Sequence, residues 1–235
     1  MKVAVIQPSY LPWLGYFYMM KYADLFIYFD DVQYDKNGWR NRNKILVNNS
    51  EKWITLPIKK STINSNFKSK VLNSVGLNGD PSAIGSEHKR ILGIHYKKSK
   101  FLYLLDEAYS KDIFSTSLLA DIIIKQTEYF LNILHIKTET VRSSNIIYKT
   151  KEEVEKISPI DRKNLNLLSL LKEVGATEYI SGVAAQRYLD TELFERNNIQ
   201  ITWNPYVPKF ENGYLSIIHY LLTLGPDNVL ELINH

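Results

Sequence analysis

Two short apolar runs separated by a proline-containing segment constrain the fold more than any other feature of this sequence. Residues 3–6 and 25–29 each have the length of a buried strand. Because Pro8 and Pro12 cannot donate ladder hydrogen bonds, we expect the first strand to end just before them. Residues 13–23 have the apolar spacing of a helix. A strand, a helix and a second strand in this order predict a βαβ unit with parallel strands.

Polar residues follow both predicted strands. Residues 7–10 come after the first strand, and residues 30–34 come after the second. In a parallel sheet the carboxyl ends of neighbouring strands meet at one edge, and ligands bind beyond that edge. The sequence therefore predicts a ligand site to which both polar segments contribute.

The rest of the chain predicts an α/β fold with a mainly parallel, Rossmann-like sheet, flanking helices and an inserted β-hairpin. The hairpin is expected at residues 44–47 and 52–56, and residues 59–70 are expected to form an exposed loop. Helices are expected at 81–96, 100–109, from 115 or 117 to 134, 161–174, 215–224 and 227–233, and further strands at 71–75, 136–141, 176–180 and 199–203. Since there is no internal repeat and no clear linker, we expect one domain over residues 1–235, with a helical middle section at about 81–135.

Composition excludes several classes of protein. The 235 residues contain no cysteine, which excludes disulfides, a thiolate nucleophile and cysteine-based metal or iron–sulfur sites. The sequence has no signal peptide and no apolar run of about 18 residues, so we expect a cytoplasmic protein without membrane insertion. The net charge of +4 is small and scattered, apart from a basic spot at 97–100, so nucleic acid is not an expected partner.

Two carboxylates and one histidine are the candidate catalytic groups. Asp30 and Asp31 end the second strand, where successive side chains point to opposite sides, so one of them is expected to face a ligand. That carboxylate can act as a general base toward an amine or hold Mg²⁺; the alternative is a pair that caps backbone N–H groups. His88, beside Glu87, is the third candidate, with a packing or surface role as its alternative. His88 and His95 lie two helical turns apart, which is too far for a joint metal site, and no metal site is predicted.

A dense polar and aromatic segment follows the carboxylates. Arg40 and Arg42 are candidate ligands of a diphosphate, because a guanidinium presents a planar fork to phosphate oxygens. Trp39 is a candidate for stacking on a nucleobase or sugar. The alternative is that residues 39–43 lead into a strand with ordinary solvent-facing side chains. The same segment supplies three further candidate binding residues, Gln33, Tyr34 and Asn41.

The loop after the first strand supplies Gln7, Ser9 and Tyr10 as amide, hydroxyl and backbone contacts for a ligand. The alternative for Tyr10, as for Trp13 and Tyr16, is a core aromatic around a kinked loop.

A second candidate contact region lies late in the chain. Ser181 and Gly182 follow a strand in the manner of a turn that approaches phosphate, and Tyr188 is a candidate hydrogen-bonding neighbour or part of a helix face. No Ser-His-Asp order, P-loop or Rossmann glycine fingerprint is present, so we expect no tightly bound cofactor.

These motifs resemble the WbqC-like protein family. The resemblance rests on QPSYLPWLGYF, FDDVQY, WRNRNKI and WITLP near the start, and on GATEYISG, YLD and LSII later, so it covers residues 3–224. It implies a cytosolic transferase of O-antigen or lipopolysaccharide biosynthesis that moves glycine, another amino acid or an acyl group to an amino sugar. One departure is His219, where an Asp is expected from the family pattern.

The opening also resembles, more loosely, pantothenate synthetase and related enzymes that form amides through acyl adenylates. Their HxGH motif is represented here by Trp13-Leu14-Gly15-Tyr16, which has no histidine to hold a triphosphate. The sequence does not decide between ATP and acyl-CoA as the co-substrate.

The leading hypothesis is an enzyme that acylates or aminoacylates the amino group of a nucleotide-linked amino sugar. A carboxylate such as Asp31 would take the amine proton, and Arg or backbone N–H groups would stabilise the diphosphate and the developing oxyanion. The alternatives are a noncatalytic sugar-nucleotide binding or scaffold protein of the same pathway and an ATP-dependent amide ligase. An oligomer is compatible with the sequence.

Overall fold

The fold is taken from a computed structural model that describes residues 1–36, 38–59, 71–148, 158–208 and 214–234. These residues group into two compact units, each assembled from separate stretches of chain. Unit 1 comprises Met1–Ile6, Met19–Phe29 and Thr138–Tyr206, and unit 2 comprises Gln7–Tyr18, Asp30–Lys137 and Val207–His235. The expectation of a single domain stays a prediction.

The regular elements alternate between strands and helices at both ends of the chain. The strands are β1 (Lys2–Ile6), β2 (Leu25–Tyr28), β3 (Arg42–Val47), β4 (Ser50–Thr55), β5 (Glu139–Arg142), β6 (Glu178–Ser181) and β7 (Gln200–Trp203). The helices are α1 (Leu14–Tyr22), α2 (Pro81–His95), α3 (Leu104–Ala108), α4 (Leu119–Ile133), α5 (Pro159–Glu173), α6 (Thr191–Arg196), α7 (Ile217–Leu224) and α8 (Pro226–Ile233).

Unit 1 is built on a five-stranded sheet with the order β5-β2-β1-β6-β7, in which every neighbouring pair is parallel. Val3 pairs with Leu25 on one side and with Tyr179 on the other, so β1 is the central strand. The strand order reverses between β1 and β6, as it does in doubly wound folds. The predicted α/β class with a mainly parallel, Rossmann-like sheet, flanking helices and a separate hairpin is confirmed.

One face of this sheet forms a hydrophobic core with α5 and α6. Val3, Val5, Leu25 and Ile27 alternate along their strands and pack in the same cluster as the leucines of α5. The intervening residues of β1 and β2 project to the opposite face and are also buried. Burial on both faces explains why these strands have continuous apolar sequences.

Local signals set the ends of the long helices. Ser158 caps α5 by accepting a hydrogen bond from Asp161 N at 3.1 Å, and Pro159 occupies the first turn, where no backbone donor is needed. Gly175 follows the helix with φ of +70°, a conformation that glycine adopts without strain. The predicted helix of residues 161–174 is therefore present and starts one half-turn earlier.

The hairpin of unit 2 joins β3 and β4 through Asn48 and Asn49. Both residues have positive φ, +49° and +59°, as a type I′ turn requires, and asparagine tolerates this conformation better than other non-glycine residues. Lys44 pairs with Trp53, and Arg42 pairs with Thr55. The predicted hairpin is confirmed.

Three predicted elements differ from the structure. Residues 71–75 were expected to form a strand or edge segment, but Leu72–Ser74 is a 3-10 turn, because Leu72 N and Asn73 N donate to the carbonyls of Val32 and Asp30. The helix expected at 100–109 is shortened to α3, which is preceded by turns. The strand expected at 136–141 begins later and includes Arg142. Residues 60–70 of the expected loop lie outside the described residues.

Within the described ranges, no helix is both long and apolar enough to cross a membrane.

Candidate functional site

Most of the predicted site residues lie in unit 2, and Ser181, Gly182 and Tyr188 lie in unit 1. Unit 2 therefore contains both polar segments that were expected at the ends of the first two strands, together with residues 39–43 and His88.

Arg40 fixes the loop that follows β1. Its Nη1 donates to the Gln7 carbonyl at 3.0 Å and to Ser9 Oγ at 2.7 Å, and its carbonyl accepts from Tyr10 N at 3.0 Å. The prediction had placed Arg40 on a diphosphate. These contacts position the Gln7–Tyr10 segment, so Gln7, Ser9, Tyr10 and Arg40 form one cluster, while binding of a diphosphate by Arg40 stays a prediction.

Asn43 holds the same loop from β3. Its Nδ2 donates to the Leu11 carbonyl at 2.6 Å and lies 3.4 Å from the Tyr10 carbonyl, while its Oδ1 accepts from Lys44 N. Leu11 is buried and has φ of +47°, which is uncommon for a residue with a branched side chain. The buried amide thus stabilises a strained backbone at the centre of the loop.

Asn41 and Tyr34 form a second buried pair in this region. Tyr34 Oη donates to Asn41 Oδ1 at 2.9 Å, and Asn41 Nδ2 donates to the Leu56 carbonyl at 2.8 Å. Burial and the nearby Asp35 raise the pKa of Tyr34 to about 12, against the opposing charge of Arg42. Tyr34 is therefore a neutral hydrogen-bond donor at physiological pH.

The structure separates the two neighbouring aspartates by burial. The Asp30 side chain is fully buried, and its carbonyl accepts from Asn73 N. Asp31 is partly exposed. The Asp31 side chain is therefore the more accessible of the two, and the expectation that one carboxylate of the pair faces a ligand stays a prediction. Gln33, two residues on, is exposed and pairs with Val71 through an isolated bridge.

The outward face of the hairpin carries two exposed indoles. Trp39, from the preceding loop, lies against Trp53 of β4, with ring centroids 4.9 Å apart and planes inclined by 46°. Arg42 Cζ lies 4.5 Å from the Trp53 centroid, and Lys44 Nζ lies 5.4 Å from Trp53 and 5.9 Å from Trp39. We call Trp39, Arg42, Lys44 and Trp53 the indole platform.

His88 lies inside unit 2 in a chain of buried hydrogen bonds. Its Nδ1 is 2.7 Å from Tyr10 Oη, which is 2.9 Å from Tyr109 Oη. Burial lowers the pKa of His88 to about 4, although its hydrogen bond to the Thr55 backbone opposes that shift. The ring is therefore neutral near pH 7 and donates to the Thr55 carbonyl, which leaves Nδ1 to accept from Tyr10. Gln126 completes the chain by donating to Tyr109.

This geometry makes His88 a positioning residue for Tyr10 in our interpretation, while a role as catalytic base stays a prediction. Burial raises the pKa of both tyrosines, so all three groups stay uncharged over the physiological range. The chain ties the loop after β1 to α2 and α4.

His219 has a similar partner elsewhere in unit 2. Its Nδ1 lies 2.9 Å from Tyr96 Oη, and burial lowers the pKa of His219 to about 4. Leu46 N donates to Tyr96, so the tyrosine hydroxyl donates to the histidine. The position at which the resemblance led us to expect an Asp is therefore occupied by a half-buried, hydrogen-bonded imidazole.

The residues predicted in unit 1 lie at the carboxyl end of β6. Ser181 is the last residue of the strand; its Oγ donates to Tyr179 Oη at 3.3 Å, and its carbonyl accepts from Asn204 N at 2.7 Å. Gly182 begins a 3-10 turn and has open space where a side chain would project. Tyr188 is exposed, with Lys163 Nζ 5.9 Å from its ring centroid.

A shallow cavity of about 400 Å³ lies between α2 and α3. Its cations are already paired, Lys89 with Asp106 at 2.8 Å and Arg90 with Glu87 at 2.7 Å. The lining residues are Ser86, Lys89, Arg90, Gly93, Leu102, Leu105 and Asp106. Since they include none of the predicted site residues, the cavity is separate from the predicted site. Among the described residues, no cluster of three or more His, Asp or Glu side chains could hold a metal ion.

Comparison with known families decides the affiliation. The model of the WbqC-like protein family matches residues 7–231. The chain belongs to this family. This WbqC-like protein is also 31% identical over 206 residues to uncharacterized protein Rv1507c of Mycobacterium tuberculosis (strain ATCC 25618 / H37Rv), with coverage of 87% of the chain and 82% of the relative. No solved structure gave a significant match.

Sequence reasoning did not single out several residues of this WbqC-like protein that contact the predicted site residues. Lys44 and Trp53 could have been found, because each alternates with a buried isoleucine on a predicted hairpin strand. Tyr109 gave no signal, since it is 99 residues from Tyr10. Asn43 entered the sequence analysis only as part of the motif WRNRNKI, although its buried amide holds the loop after β1 through the Leu11 carbonyl.

Proposed function

We propose that this protein transfers an acyl or aminoacyl group, of the glycine type, to the amino group of a nucleotide-linked amino sugar in surface-polysaccharide biosynthesis. The observation that carries the proposal is the difference between Asp30, which is fully buried, and Asp31, which is partly exposed in the same unit as the loop that Arg40 holds. Family membership and the resemblance of the opening motifs support the pathway.

Asp31 is the general base of this proposal. A sugar ammonium passes one proton to the Asp31 carboxylate, and the resulting amine attacks the carbonyl carbon of the donor. A carbon–nitrogen bond forms, and the bond from that carbon to the leaving group breaks. The leaving group departs with the electron pair, as a thiolate from acyl-CoA or as AMP from an acyl adenylate made with ATP. The second amine proton neutralises that leaving group or passes to water.

The remaining residues divide into positioning and binding roles. Arg40 and Asn43 hold the loop after β1, which orients Ser9 and the backbone near Tyr10. Arg42 and Trp39, on the outward side of the hairpin, are the proposed contacts of the diphosphate and of the attached ring. Ser181, Gly182 and Tyr188 stay candidates for phosphate-side contacts.

The test is product formation by the full chain. Wild-type protein is incubated with a nucleotide-linked amino sugar and with acyl-CoA, or with glycine and ATP, and the sugar product is analysed by mass spectrometry. We expect the acceptor to gain one acyl or aminoacyl group. Asp31→Asn should reduce the rate by about 10²- to 10⁴-fold while sugar-nucleotide binding is retained.

Asp106→Asn is the matched control, because it removes an exposed carboxylate of the same unit on α3. Its rate should equal that of the wild type. Equal rates for Asp31→Asn and the wild type would show that Asp31 is not the base. Binding of the sugar nucleotide without product from any donor would favour the noncatalytic binding protein.

A further inference from the structure

The indole platform is an exposed surface whose composition is unusual for the outside of a hairpin. Trp53 is 46% exposed and Trp39 is 40% exposed. Large aromatic side chains stabilise a fold mainly when they are buried. Two adjacent exposed ones therefore indicate a surface that contacts a ligand or partner.

The hairpin does not use these indoles to fill its inner side. Asn43, Ile45 and Ile54 alternate with the platform residues along β3 and β4, and all three are buried. Lys44 and Trp53 are direct cross-strand partners, so both project to the other face. The inner face of the hairpin is therefore formed by other residues, and neither indole contributes to it.

Two cations accompany the rings. Arg42 lies over one face of Trp53, and its Nε donates to the Gly38 carbonyl at 3.4 Å, which holds the guanidinium at the platform. Lys44 lies near both rings and is paired with Glu51 at 2.5 Å. Planar aromatic surface and two neighbouring cations suit a ligand that combines a flat ring with negative charge.

We propose that Trp53 and Lys44, together with Trp39 and Arg42, bind the nucleoside diphosphate half of the substrate. The base stacks on the indoles, and the diphosphate contacts the guanidinium and the ammonium of Lys44. This inference rests on the proposed function for the attached amino sugar, but binding of the nucleoside diphosphate is independent of any transfer chemistry.

The size of the platform favours one nucleotide over a longer ligand. A single pair of indoles provides one stacking position, and Arg42 and Lys44, the latter also paired with Glu51, provide contacts for one diphosphate rather than for a longer run of phosphates. Proteins that bind single-stranded nucleic acid follow the backbone along a basic groove with a series of aromatic residues. A neutral sugar would use the indoles but not the two cations.

Equilibrium binding of UDP, dTDP and GDP to the full chain tests this assignment, with no acceptor amine and no acyl donor present. Isothermal titration calorimetry reports the affinity. We expect Trp53→Ala to weaken binding of the preferred diphosphate by about 10- to 100-fold, as loss of one base-stacking contact does. Trp53→Phe should keep part of the affinity, since it retains an aromatic ring.

Lys44→Gln separates charge from stacking. It should weaken binding of the diphosphate but leave binding of the corresponding nucleoside unchanged. Lys52→Gln is the matched control, because Lys52 is exposed on β4, the other strand of the hairpin, and projects to the opposite face. We expect this control to bind like the wild type. Thermal melts verify that each variant is folded, and Lys44→Gln serves alone if Trp53→Ala does not fold.

The outcomes distinguish the platform from the proposed function. Binding that depends on Trp53 and Lys44 supports the platform, even if no transfer product is ever formed. Transfer with an unchanged sugar-nucleotide KM in Trp53→Ala and Lys44→Gln overturns the platform and leaves the transferase standing. Tighter binding of a single-stranded oligonucleotide than of any nucleoside diphosphate, lost in Trp53→Ala, also overturns it.

Discussion

Acidification should destabilise this protein through its buried histidines. His88 and His219 each have a pKa of about 4 in the fold, because burial disfavours the charged imidazole, whereas an unfolded histidine titrates at about 6.5. Between these values the unfolded chain binds a proton that the folded chain does not. Stability is therefore highest above about pH 6.5 and falls as the pH drops toward 4.

The magnitude follows from the difference in proton binding. For one histidine, a change from about pH 7.5 to about pH 5 costs about 2 kcal/mol of unfolding free energy. His88 is buried and should contribute close to this amount, while the half-buried His219 should contribute less. The total is a large part of the roughly 5–15 kcal/mol that stabilises an ordinary domain.

Urea unfolding at both pH values measures the effect. His88→Asn keeps an acceptor near the position of Nδ1 but cannot titrate, so its loss of stability between the two pH values should be about 2 kcal/mol smaller than that of the wild type. His95→Gln changes an exposed histidine of the same helix and should behave like the wild type. The reasoning is refuted if His88→Asn and the wild type lose the same free energy on acidification.

Three further substitutions test packing and the loop. Gly225→Ala should cost about 1–3 kcal/mol, because Gly225 has φ of +86° and an added Cβ would meet the Phe101 ring, whereas Gly93→Ala on α2 meets nothing within 4 Å and should gain about 1 kcal/mol. Urea denaturation midpoints of both variants measure these changes. Equal midpoints for Gly225→Ala and Gly93→Ala would contradict the predicted contact between residue 225 and Phe101. Asn43→Ala should cost about 1–3 kcal/mol, since it leaves the Leu11 carbonyl without its amide donor, and an unchanged midpoint would show that the loop needs no such support.

Local patterns were sufficient to predict most of the secondary structure. The apolar runs at 3–6 and 25–29 predicted β1 and β2 correctly. Both strands are buried on both faces of the sheet, and this burial explains why the runs contain no polar residue. Asn48 and Asn49 predicted the hairpin through their tolerance of positive φ. The strand prediction for residues 71–75 was wrong. It rested on two valines, which favour strands, whereas the backbone N–H groups of the segment donate to the carbonyls of Val32 and Asp30 and the segment forms a turn.

The roles of individual side chains were harder to predict than the elements that carry them. Arg40 and Arg42 are equivalent in the sequence, yet one holds a backbone loop and the other lies over an indole. Strand alternation would place both on one face, because they are two residues apart; they differ because β3 begins at Arg42 and Arg40 precedes it. The hydrogen bonds between Tyr10, His88 and Tyr109 join residues far apart in the chain, and no local pattern contains that information.

The position of β1 at the centre of the sheet has a consequence for synthesis of the chain. β2 follows β1 closely, but the other neighbour, β6, is translated only after more than half of the protein, since Lys2 pairs with Glu178. Until then one edge of β1 has unpaired backbone donors and acceptors, which can pair with another chain. Pairing across so long a separation is also slow. A nascent or truncated chain that stops before residue 178 should therefore aggregate, and arrival of β6 should end that risk.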